Sequence, residues 1–177
     1  MPKAFDKTNA MRALDLQKIP YATFVYDERI HSAVAVAASL GVPAKQVFKT
    51  LVMIPSSGRP ILIMMPGDTE VDPRRLARYI DVKRVDMASK RDAERLTGLV
   101  IGGIGALALL GKPFDALIER SAMQFASVLV NGGRRGINLR VAVDDIIRLT
   151  SARVVDALSE TPEVRTSSDS AIHRSAH

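Results

Sequence analysis

The sequence predicts a single α+β domain, on three observations. Apolar runs of strand length are joined by turn-forming residues, segments of helical periodicity fall between them, and one core's worth of chain is present. Of the 177 residues, 47% are hydrophobic and 25% charged, the balance of an ordinary soluble domain.

The elements follow in order. Residues 4–17 predict an opening helix, with Ala4, Thr8, Met11 and Leu14 near helical spacing and Pro20 limiting its extension. Residues 21–26 form a short β-prone run. The clearest helix comes next, because Ser32 suits its cap, Ala33, Val36, Ala37 and Leu40 share one face, and Gly41 suits its end. Residues 47–54 and 60–65 predict a hairpin of buried strands across the turn-rich link 55–59. Short helices are expected over 73–80 and 89–97, the second opened by Ser89 with Asp92 and closed by Gly98. Further strands are expected over 116–119, 127–130 and 137–143. Asp144 and Asp145 then favour the first turn of a helix reaching Leu149, where negative charge suits the dipole. The domain is drawn at 1–158, and residues 159–177 are expected to be a polar, disordered tail.

Composition narrows the function. With no cysteine there is no disulfide, no thiolate metal site and no cysteine nucleophile. The three histidines, two of them in the tail, make no plausible zinc site, and no metal or cofactor is expected. No run has the roughly 20 apolar residues of a membrane helix, and the N-terminus is not signal-like. A cytoplasmic protein with no membrane partner is expected.

The net charge of +6 is concentrated, because residues 74–95 hold eight cations against four carboxylates. Arg74, Arg75, Arg84 and Arg91 stand there as candidate tRNA contacts, since a polyanion would be drawn to them. The plainer reading is a solvated helical face.

Three places could carry chemistry. Lys49 interrupts an apolar run, so its ammonium either reaches solvent at a strand end or sits over a cleft facing an anion or a carbonyl. The loop Gly102, Gly103, Ile104, Gly105 lacks both the dinucleotide fingerprint and the P-loop ending. It offers unshielded backbone groups to a substrate, or it is simply a tight turn. Residues 131–136 either form an ordinary hairpin with exposed arginines or line a site with their polar ends. His31 stands at a helix entrance, and no Ser-His-Asp set assembles around it.

Four stretches together resemble the YbaK/EbsC family, free-standing relatives of the editing domain inserted in bacterial prolyl-tRNA synthetases. They are IPYATFVYD (19–27), SLGVPAKQVFKTLV (39–52), RLTGLVIGGI (95–104) and FASVLVNGGRRGINLRVAVDDIIRLTSA (125–152). The resemblance implies a mixed, barrel-like sheet surrounded by helices. It also implies trans-editing: hydrolysis of mischarged tRNA, typically cysteinyl- or alanyl-tRNA for proline, with prolyl-tRNA synthetase as a possible functional partner. In relatives acting on cysteinyl-tRNA the substrate thiol itself can attack the carbonyl. By position, Lys49 matches the family's essential lysine, and Gly103 lies in the loop whose backbone orients the scissile carbonyl. Tyr26, Gly102, Ile104, Gly105, Ala106, Asn131 and Asn138 match substrate-binding positions. Two departures stand out: Ala106 where proline is usual, which predicts a looser loop, and Asn138 where aspartate is common, which removes a charge partner for the substrate ammonium. The alternative is a catalytically reduced paralogue that binds tRNA or a synthetase.

Overall fold

The computed structural model describes residues 6–160. The polar segment 161–177 and Ala4 lie outside the described residues. Among the described residues five α-helices, α1 (Asn9–Leu16), α2 (Ala33–Leu40), α3 (Pro73–Tyr79), α4 (Lys90–Thr97) and α5 (Val143–Thr150), are interleaved with eight strands. The strands are β1 (Ala22–Val25), β2 (Phe48–Pro55), β3 (Ile61–Pro66), β4 (Val85–Met87), β5 (Asp115–Glu119), β6 (Ser127–Asn131), β7 (Ile137–Ala142) and β8 (Arg153–Val155).

The strands make a three-stranded antiparallel sheet, β1-β7-β6, and a five-stranded mixed sheet, β4-β2-β3-β5-β8. β3-β5 and β5-β8 are its parallel pairs. One parallel bridge, Val47 to Leu129, joins the two sheets where β2 begins beside β6. That seam carries the site.

Local chemistry explains the helix ends. Ser32 Oγ accepts from Ala35 N at 3.0 Å, and Gly41 takes the left-handed conformation at φ 66°, so α2 starts and stops where its sequence requires. Ser89 and Gly98 bound α4 in the same way. Thr8 sits in no helix interior: its hydroxyl caps α1 by accepting from Met11 N at 3.2 Å, which moves the expected start of that helix.

β3 is buried along its whole length and forms the floor on which both layers rest. On one side Phe48, Val52, Leu62, Met64 and Ile118 join the main core with α1, β6 and β7. On the other, Met53, Ile63 and Met65 receive Leu76 and Ala77 of α3. Burial of each such side chain contributes roughly 1.5–3 kcal/mol. Ser159 N donates to Glu70 O at 2.8 Å, and Asp72 N to Ala157 O at 2.8 Å, tying the end of the described chain to the strip before α3.

Candidate functional site

Alternation along β2 places Lys49. Phe48 and Val52 enter the main core, so Lys49 faces the opposite side, across from Met65 in the register. Its ammonium does not run out to solvent. It donates to Thr69 O at 2.6 Å and more weakly to Gly67 O at 3.4 Å. Burial pushes the ammonium below the ordinary lysine range, while the Glu70 and Asp68 carboxylates pull it back. The result is a cation held half-buried on a wall.

Gly67 allows α2 to close that wall. A Cβ there would stand 2.1 Å from Ala33 Cβ, so no other residue lets the helix approach as near. Ser32, Ala33 and Val36 thereby face the same space as Lys49.

The opposite wall is two loops packed into each other. Gly105 admits no side chain, because a Cβ would lie 2.4 Å from Asn131 O. Gly103 rests on the backbone of Arg134 and Arg135, and Gly133, at φ 86°, leaves only 2.6 Å to Ala108 Cβ. Polar bonds fasten the packing. Asn131 Nδ2 donates to Gly102 O at 2.6 Å, and Asn131 Oδ1 accepts from Gly133 N at 2.7 Å. Arg135 Nε donates to Ile101 O at 2.6 Å, and Gly103 N donates to Val100 O at 2.8 Å.

The third wall comes from β1. Tyr26 N donates to Gly136 O at 2.9 Å, extending the β1-β7 ladder and bringing the phenol into the cleft. Burial pushes that phenol up, and hydrogen bonds from the Gly136 backbone and the Asn131 side chain draw it down. Asn138 pairs with Asn131 across β6-β7 and is buried at 4% exposure. Among the described residues its side chain makes no hydrogen bond.

These walls enclose a cleft of about 260 Å³. Tyr26, Lys49, Gly102, Ile104, Asn131 and Asn138 all line it, so six of the nine residues expected at the catalytic and substrate positions meet in one place. Gly103, Gly105 and Ala106 stand behind its surface, and the Gly103 N–H is already spent on Val100. Gly102 and Ile104 present the loop to the cleft instead. Ala106 is 5% exposed and begins a short 3-10 helix, Ala106–Leu109, so the loop is packed where looseness was expected.

Glu28 and Ser32 also line the cleft although the sequence does not single them out for it, His31 is given no role there by sequence, and Arg135 is reached only as part of the 131–136 turn. The glycine-arginine turn 131–136 carries Arg135, Glu28 follows the β1-β7 pairing, and Ser32 comes with α2 as it packs on Gly67. Ser32 Oγ is committed to capping α2, and no Ser-His pair forms among the described residues.

None of the four candidate tRNA-contact arginines lines the cleft. Arg74 and Arg91 are exposed. Arg75 pairs with Asp156 at 2.9 Å, and Arg84 with Asp86 at 2.9 Å. Among the described residues, no three His, Asp or Glu side chains are grouped to hold a metal ion, and no helix is long and apolar enough to cross a membrane.

A small cleft with a half-buried lysine held on one wall, facing glycine-loop backbone, is suited to orienting a carbonyl ester. The family description of the aminoacyl-tRNA editing domain matches residues 27–149. The chain belongs to this family. It is 33% identical over 156 residues to EbsC of Enterococcus faecalis, a candidate Cys-tRNA(Pro)/Cys-tRNA(Cys) deacylase, with 87% of this chain and 94% of that one covered. It is 25% identical over 136 residues to the proline–tRNA ligase of Thermodesulfovibrio yellowstonii, covering 75% of this chain but 23% of the ligase. The fold matches the crystal structure of a candidate trans-editing enzyme for prolyl-tRNA synthetase with a TM-score of 0.74 at 21% identity, covering 88% of this chain and all of that one. The mixed α+β architecture is that of the editing domain, as the resemblance implied. The family is one of aminoacyl-tRNA editing, which supports a deacylase-type hydrolase activity.

Proposed function

We propose that this chain edits in trans, hydrolysing cysteinyl- or alanyl-tRNA(Pro) released by prolyl-tRNA synthetase, without metal or cofactor. The observation that carries the proposal is the Lys49 ammonium, held by the Thr69 and Gly67 carbonyls on the wall of a cleft that Gly102 and Ile104 also line.

An aminoacyl ester is already activated, so the site has mainly to orient it and to stabilise charge on the carbonyl oxygen. Water adds to the carbonyl carbon, the bond to the ribose oxygen breaks, and that oxygen takes a proton as the amino acid leaves. Lys49 steadies the ester end. The N–H groups of Gly102 and Ile104, which no acceptor among the described residues takes, serve the developing oxyanion. Ile30, Ala33 and Val36 leave the amino-acid end a small, apolar seat, and Asn138 offers its amide to the substrate's polar group.

The test is a panel of mischarged tRNAs. Wild-type protein should release cysteine or alanine from tRNA(Pro) in EDTA, and Lys49→Ala, with an unchanged thermal melt, should lose at least a hundredfold in rate. Removing one fixed electrostatic interaction at a reacting carbonyl costs about 10²–10³ in rate. A Lys49→Ala protein as fast as wild type removes the lysine from the mechanism. Tight tRNA binding with no release in a single turnover makes the chain a binder rather than an enzyme.

A further inference from the structure

Arg135 is the cleft residue whose charge the ester chemistry leaves unused. Its Nε is fixed on the Ile101 carbonyl at 2.6 Å, and its stem lies across Gly102, where a Cβ would meet Arg135 Cγ and Nε at 3.3 Å. The guanidinium is therefore held by one edge. Its remaining N–H groups meet no carboxylate within ion-pair distance among the described residues, unlike Arg29, Arg75, Arg84, Arg95 and Arg148, which each have one.

The position is the mouth. Ile101 and Gly102 are exposed, whereas Ile104 and Asn138, deeper in the same cleft, are buried. A volume of about 260 Å³ seats an aminoacyl group and part of a nucleoside, so the chain of a longer ligand must leave past this rim. Around the cleft the charged residues are Lys49, Arg135 and Glu28, with His31 beside them. Positive charge exceeds negative, and Lys49 is turned to the Thr69 carbonyl on the opposite wall. Among the described residues that line the cleft, the cation at the exit is Arg135.

We propose that Arg135 grips the phosphodiester on the 5′ side of the terminal nucleoside, and so separates a nucleic-acid ester from a bare aminoacyl nucleoside. This rests on the ester reading of the cleft above. A guanidinium anchored by one nitrogen keeps a flat pair of donors for phosphate oxygens, a geometry an ammonium does not copy. Gly133 at φ 86° and Gly136 at φ 79° fold the hairpin tip that sets this arginine in place. Arg134, exposed beside it and also without an ion pair among the described residues, extends the positive rim outward.

The experiment uses two stable probes, 3′-alanylamido-3′-deoxyadenosine and the same compound carrying a 5′-monophosphate, titrated calorimetrically into the full chain. Wild type should bind the phosphorylated probe at least tenfold more tightly. Arg135→Ala should erase that difference and leave the nucleoside affinity within about twofold, and Arg135→Lys should keep part of it. Thermal melts check folding, and Arg135→Lys covers the case in which the alanine variant does not fold. Against a CCA-ending RNA oligonucleotide, the slope of log affinity against log salt should fall by about 0.7 for the one phosphate no longer neutralised. Equal weakening of both probes would mean that Arg135 only props the glycine loop, and overturns the proposal. So does a wild type that does not distinguish the probes. If such a wild type still deacylates mischarged tRNA, the ester reading survives alone. If it binds neither probe and releases no amino acid, both fall.

Discussion

Segment 74–95 carries eight cations against four carboxylates, whereas the hairpin tip at 132–136 carries two arginines and no acid. By charge count the first is the stronger attractor of nucleic acid. Its cations, however, are exposed or paired: Arg75 with Asp156, Arg84 with Asp86, Arg95 with Asp92. Such surface pairs contribute about 0–1 kcal/mol each and dilute the field that the sequence advertises. The tip has less charge and more architecture. Its backbone is pressed against the glycine loop, one arginine is hooked to a carbonyl, and neither arginine is ion-paired among the described residues. Charge density governs attraction from a distance, and immobilised charge governs recognition at close range.

The sharpest break in this contrast is at Gly105. Gly105→Ala puts a methyl 2.4 Å from the Asn131 carbonyl, and backbone cannot swing aside as a side chain can. Overpacking of this kind costs about 1–3 kcal/mol or more, and deacylation should fall with it because both loops shift. Gly98, which closes α4 in the basic segment at φ 69°, has nothing within 4 Å of an added Cβ. Gly98→Ala should therefore cost only the backbone strain, about 1 kcal/mol, and leave the rate intact. Thermal melts paired with rates on the same samples decide it, and a Gly105→Ala protein as active as Gly98→Ala would dissolve the idea of interlocked loops.

A smaller effect is expected from the basic segment. Neutralising Arg74, Arg75, Arg84 and Arg91 together should weaken tRNA binding and lower its log–log salt slope by about 0.7–0.9 for each phosphate no longer neutralised. Arg74 and Arg91 should account for most of that, since the other two already hold carboxylates. The rate at saturating substrate should not change. A slope that stays at the wild-type value returns the segment to a solvated face.

The smallest effect is at Ala106. Gly105 lies at φ −138°, ψ 135°, the extended conformation that a following proline favours, and residue 106 opens a 3-10 helix where a ring is tolerated. Ala106→Pro should raise stability by about 0.4–1 kcal/mol and Tm by about 1–4 °C. Relative rates on cysteinyl, alanyl and seryl esters should shift as the loop stiffens. A lowered Tm would show that the loop needs the freedom alanine gives it, and an unchanged substrate profile would place specificity at Asn131 and Asn138.

Much of the fold is legible in the sequence where the signal is local. Ser32 and Gly41 announce α2, and the link 55–59 announces the β2-β3 hairpin. β4 and β8 give no such signal, because three residues such as Val85, Asp86 and Met87 carry no readable alternation and pair only through distant partners. The same limit applies to the cleft. Lys49, Tyr26, Asn131 and Asn138 stand out by their motifs. Glu28 and His31 come to the cleft only because β1 pairs with β7, a contact across more than a hundred residues, and Arg135 because the 131–136 turn packs on the glycine loop. The motif that marks Gly103 for the substrate gives no sign that its N–H donates to Val100 O or that a Cβ there would meet the Arg134–Arg135 backbone.

The strip from Thr69 to Asp72 holds Lys49 at one end and the late chain at the other. Thr69 O receives the lysine, while Glu70 O, Val71 and Asp72 N meet Ser159, Leu158 and Ala157. During synthesis Thr69 is braced early, by its N–H and hydroxyl on Pro66 O, whereas Glu70–Asp72 gain their partners only when residues 157–159 follow. A chain stopped ahead of β8 should thus keep the lysine's acceptor at Thr69 while leaving Glu70–Asp72, and the carboxylate of Glu70 beside the ammonium, without their later partners.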